Sequence, residues 1–62
     1  MKIREILDGF KPSEIVMVVS QETKEILYYG SVEMMFKHTK YGDIEPMVTV
    51  MKDEIKFIIK GE

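Results

Sequence analysis

The sequence predicts an α+β fold of order αββαββ, in which two β-hairpins form a four-stranded, mainly antiparallel sheet with two short helices. Three observations predict it. Apolar residues recur at helical spacing near residues 2–8 and again after Ser31. Four runs, 14–20, 25–30, 47–52 and 55–60, are rich in β-branched and aromatic residues. Short polar turns, Gln21 to Lys24 and Asp53-Glu54, join those runs in pairs, as hairpins require.

The first helix places Ile3, Ile6, Leu7 and Phe10 on one face. Gly9 stands where a helix ends in the left-handed region, and Pro12 prevents continuation. Two turns of helix are not stable alone in water, so this one must lean on the sheet. Ile15 to Val19 is an unbroken apolar run at the centre of the first strand, and Ile26, Leu27, Tyr28 and Tyr29 fill the second. Ser31 is a favoured N-cap for the second helix, with Glu33 in its first turn and Val32, Met35, Phe36 and Thr39 on one face. Lys37 and Lys40 sit towards its C-terminus, and Gly42 ends it. Pro46 opens the third strand, a position where its missing N–H is harmless.

Sixty-two residues are read as one domain, residues 1–62. A chain of this size buries only about 60% of the surface its unfolded form exposes, so a staple is expected. Disulfides are excluded because there is no cysteine, and one histidine, His38, cannot make a zinc site alone. Oligomerisation is the staple that remains. No apolar run approaches the length of a membrane span or a secretion signal, and the absence of cysteine fits the cytoplasm. The net charge of −2 argues against a generic basic nucleic-acid binder but leaves room for a local basic patch.

Strand parity carries most of the functional information. In the fourth strand Ile55, Phe57 and Ile59 share one face, while Lys56, Ile58 and Lys60 share the other, wetter one. The first three strands are apolar on both faces. Either the helices cover opposite faces, or they share one face and the other meets a second subunit. The latter reading predicts a homodimer or a dimer of dimers, with Val16, Val18, Leu27 and Tyr29 as its interface. On the second helix, Met34, Lys37, His38 and Tyr41 fall opposite the core face. They read as a partner-binding surface, or as a scattered surface methionine and a tyrosine folded over its own loop.

No catalytic motif is present. His38 has no nucleophile positioned beside it by any motif, and it reads as a solvated helix residue. Asp43, Glu45, Asp53 and Glu54 lie in turns where acids are common, and no metal or cofactor is assigned. Gly30-Ser31 is not a phosphate loop. Tyr28 with Lys52, Lys56 and Lys60 offers a nucleic-acid contact by stacking and charge. The alternative for these residues is core aromatics and edge-protecting lysines.

The segments IREILDGF, EIVMVVS and LYYGSVEMMF resemble small proteins encoded on phages and integrative elements of Firmicutes. Some proteins of that size and origin are type II-A anti-CRISPR proteins, one group of which is associated with an oligomeric, single-strand-binder-like sheet. The resemblance implies interference with Cas9 and supplies no site residues. The expectation is therefore a non-enzymatic accessory protein of a mobile element, acting as a small oligomer on a macromolecular partner such as Cas9. The alternatives are a nucleic-acid-acting protein, by single-strand binding or DNA nicking, and a purely structural subunit.

Overall fold

The computed structural model of the chain describes residues 1–60. Its elements are α1 (Ile3–Ile6), β1 (Ile15–Ser20), β2 (Ile26–Ser31), α2 (Val32–His38), the 3-10 turn η1 (Tyr41–Asp43), β3 (Val48–Val50) and β4 (Ile55–Ile59). This is the expected αββαββ order. The sheet runs β2-β1-β4-β3. Both hairpins are antiparallel, and they join through a parallel pairing of β1 with β4.

Local chemistry accounts for the element ends. Ser31 caps α2 by accepting from the Met34 N–H at 3.2 Å. Thr39 closes it: its hydroxyl donates to the Met35 carbonyl at 2.6 Å and accepts from the Tyr41 N–H at 3.2 Å. Gly9 takes φ +95°, as its place after the first helix requires. In the β1–β2 turn Lys24 is held at φ 65°, a region L-residues visit at a cost. Hydrogen bonds from the Thr23 N–H to the Ser20 Oγ and from the Lys24 N–H to the Ser20 carbonyl hold this turn.

Both helices lie on one face of the sheet. Val16, Val18 and Ser20 of β1 share parity with Ile55, Phe57 and Ile59 of β4, and all six are buried. Ile3, Leu7, Val32 and Met35 from the helical segments complete the same cluster. α1 is tied down by the Ile3 N–H, which donates to the Ile44 carbonyl at 2.9 Å. Beside that bond the Met1 amine meets the Glu45 carboxylate at 2.9 Å, and this hydrogen bond holds Glu45 below the usual carboxylate range. Among the described residues no buried side-chain polar atom lacks a partner. No helix among them is long and apolar enough to cross a membrane.

β1 and β2 do not pair residue for residue. The register shifts between Val18 and Val19, so that Val18 faces Tyr28 while Val19 faces Ile26. Leu27 is the extra residue, a β-bulge. The bulge lets Leu27 and Tyr28, consecutive in sequence, both pack against the helix-side core. Tyr28 then lies across Gly30, where an added Cβ would come within 2.7 Å of the tyrosine oxygen. Its hydroxyl donates to the Ser31 carbonyl at 2.8 Å, bracing the corner between β2 and α2. Burial pushes the Tyr28 hydroxyl above its ordinary pKa.

Candidate functional site

The face opposite the helices leaves apolar side chains of all four strands on the surface. Two rows of side chains cross it, each taking one residue from every strand. One row is Tyr29, Met17, Lys56 and Val50; the other is Ile26, Val19, Ile58 and Val48. Ile15 continues β1 beyond the first row. Tyr29 is 66% exposed, Ile26 59% and Val48 48%, and no helix or loop lies over them. Contiguous exposed apolar surface of this kind marks interaction sites, and here it sits on a molecule with only 4391 Å² of accessible surface.

Lys56 is the one charge in these two rows, between Met17 and Val50. Its aliphatic stem extends the apolar surface and its ammonium reaches solvent. At one end of the face Glu14, Asp53 and Glu54 line a cleft of about 380 Å³ together with Ile15, Met17 and Tyr29. The face thus carries an apolar centre, one lysine and an acidic margin.

The predicted interface residues divide between the two faces. Val16 and Val18 are corrected: they are buried against the helices and are not part of the open face. Leu27 is corrected too, because the bulge turns it towards the core. Tyr29 alone of that set is on the open face. The residues missed are Ile15, Met17, Val19, Ile26, Val48, Val50 and Ile58. The signal for them was the lysine-marked wet side of β4, which fixes parity on β1 once the parallel pairing of the two strands is known.

The predicted outer face of α2 is also divided. Met34, Lys37 and His38 are exposed, and Lys37 pairs with Glu33 at 2.9 Å. Tyr41 does not join them. Thr39 ends the helix in an extended conformation, and Tyr41 passes into η1, where it packs against the core. The stacking set is likewise split: Tyr28 faces the helices while Lys56 is on the open side, and Lys52 and Lys60 are exposed outside β3 and β4. Tyr29, two strands from Lys56, is the aromatic that shares its face.

The acidic turns do not gather. Asp43 pairs with Arg4 at 3.3 Å and Glu45 with the Met1 amine, while Asp53 and Glu54 stand in the β3–β4 connection. No group of three metal-ligating side chains forms among the described residues. Arg4 also stacks 5.0 Å above the Phe36 ring, closing the helical side. Comparison of the chain with protein-family models, with curated proteins and with solved structures finds no match.

Proposed function

We propose that this chain is a non-enzymatic accessory protein that acts in the cytoplasm as a small oligomer and binds a macromolecular partner through the open face of its sheet. The observation that carries the reading is the pair of apolar rows left uncovered opposite the helices. Burying several hundred Å² of such surface stabilises a complex by roughly 25 cal/mol per Å² before the costs of association. A core of nine buried apolar side chains among the described residues is small, which makes any further burial valuable to the chain.

The resemblance to mobile-element proteins gives this reading its sharpest form, a Cas9-interfering protein. Its test is a plasmid-cleavage reaction with guide-loaded Cas9 and increasing amounts of the chain. Cleavage is expected to slow, and Met17→Glu, in the middle of the open face, is expected to restore it. Cleavage unaffected by excess protein removes Cas9 as the partner.

One observation favours a second reading. Tyr29 and Lys56 stand in the same row about 10 Å apart, two strand spacings, which suits a base stacked on the ring and a phosphate on the ammonium. Titration of a fluorescent single-stranded oligonucleotide at low salt tests it. Binding that falls with Tyr29→Ala and with added salt supports this reading, and flat anisotropy excludes it.

A further inference from the structure

The two edges of the sheet are built differently. β3 has three residues, is entered through Pro46 and leads into Lys52 and Asp53. Shortness, proline and charge are the devices by which natural edges resist pairing. β2 has six residues, ILYYGS, with neither a charge nor a proline.

The hydrogen-bond pattern shows which groups of β2 are free. The Val32 N–H donates to the Glu14 carbonyl at 2.9 Å, so Glu14 and Val32 form a bonded pair. Antiparallel pairs alternate, and the next bonded pairs are Val16 with Gly30 and Val18 with Tyr28. Tyr29 and Ser31 therefore direct their N–H and C=O groups away from β1. The Ser31 carbonyl is satisfied by the Tyr28 hydroxyl. By the same alternation the N–H and C=O of Tyr29 are not spent on β1, and no turn, loop or cap hydrogen bond among the described residues takes them.

We propose that the outer edge of β2 pairs antiparallel with β2 of a second copy, joining two four-stranded sheets into one of eight strands. A two-fold axis makes such an edge its own complement, since each copy offers the donors and acceptors the other needs. The absence of charge on β2 removes the like-charge repulsion that would oppose two copies meeting there. Edge pairing alone is small against the roughly 800 Å² per partner of a standard interface. It gains the exposed Tyr29 side chain, which meets its symmetry mate where the axis passes through the outward N–H and C=O of Tyr29. The inference rests on the oligomer part of the proposed function and adds its geometry. Edge pairing leaves both open faces coplanar and free for a partner, whereas face-to-face packing would consume them.

Hydrogen exchange read residue by residue on the unmodified chain, at two protein concentrations, tests the pairing directly. The Tyr28 and Gly30 amides, bonded to β1, are expected to be protected at both. The Tyr29 amide is expected to gain protection of tenfold or more only at the higher concentration, where light scattering gives twice 7.3 kDa. Tyr29→Pro, which deletes an outward N–H, is expected to give a folded monomer, while Tyr29→Phe, which keeps both the N–H and the ring, stays dimeric. A chain that scatters as 7.3 kDa throughout overturns the oligomer and the edge together. A dimer whose Tyr29 amide exchanges freely, and which Met17→Glu dissociates, overturns the edge alone and leaves an open-face oligomer standing. Tyr29 protection that appears only with an added extended peptide assigns the edge to a different occupant and likewise overturns the proposal.

Discussion

The covered and open faces of this sheet are made of nearly the same residue types, yet they do opposite jobs. Across the covered side run Tyr28, Val18, Phe57 and Thr49; across the open side, one step along, run Ile26, Val19, Ile58 and Val48. The covered row is buried at its centre, with Val18 and Phe57 at 0% exposure, because Ile3, Leu7, Val32 and Met35 descend on it. No such helical side chains complete the open row, where Ile26 and Val48 at its ends are exposed and Val19 and Ile58 between them are half-buried. Residue hydrophobicity therefore does not distinguish the covered face of this sheet from the open one. What distinguishes them is where four helical side chains land.

The sharpest way to break the comparison is to remove one ring from the covered face. Phe57 occupies the middle of β4 and is fully buried. Phe57→Ala is expected to cost about 3–5 kcal/mol, from lost transfer energy and the cavity left behind. A small single core rarely supplies more than that in total. The far-UV circular dichroism of the variant at low micromolar concentration should be that of an unfolded chain. A cooperative thermal transition retained within a few degrees of the parent would show that the covered face is not the core.

How much of this was legible follows from where each signal resides. The αββαββ order, the Ser31 cap, the Gly9 terminus and the buried parity of Ile55, Phe57 and Ile59 are local, and local pattern predicts them. The parity of β1 was not legible, because Ile15 to Val19 is apolar at every position and nothing in the run says which side is in. Only the pairing of β1 with β4, a contact about forty residues long in sequence, aligns Val16 with Ile55 and Val18 with Phe57. The bulge at Leu27 was hidden for the same reason: alternation puts Leu27 beside Tyr29, and the shifted register undoes it. Tyr41 was misplaced because a helical wheel was continued past Thr39, whose hydroxyl bonds end the helix.

A smaller effect tests the corner that separates the two faces on β2. Tyr28 and Gly30 are coupled: the ring needs the space a Cβ would take, and the hydroxyl is spent on the Ser31 carbonyl. Tyr28→Phe removes one hydrogen bond and is expected to cost about 1 kcal/mol. Gly30→Ala pushes the tyrosine off that bond and should cost a similar amount or somewhat more. The double variant, followed by urea denaturation, is expected to cost less than the two singles added, because both act on the same contact. Strict additivity would mean that Tyr28 does not depend on Gly30 for its position.

At the β1–β2 turn the predicted change is stabilising. Lys24 sits at φ 65°, where glycine has no Cβ to strain. Lys24→Gly is expected to raise stability by up to about 1 kcal/mol, less the entropy glycine adds to the unfolded chain. A raised midpoint of thermal denaturation is the expected reading; a lowered one would show that the bonds from Ser20 and Thr23 already remove the strain. Because the turn belongs to neither face, the oligomeric state should not change with it.

The smallest expected effect bears most directly on what the open face is for. Val48→Thr replaces a methyl by a hydroxyl at nearly constant shape, keeps a β-branched residue in β3, and acts on a side chain 48% exposed. For a single folded copy the change should stay within about 0.5 kcal/mol, since solvent already reaches the site. It should also leave an edge-paired oligomer intact, because β3 and β2 are at opposite ends of the sheet order. Dye binding to exposed apolar surface should fall, and so should affinity for any partner that the open face holds. A large loss of folding stability from this one methyl would place Val48 inside a buried interface in the free protein. The open face would then be a second core, completed by another copy, rather than a surface kept for a partner.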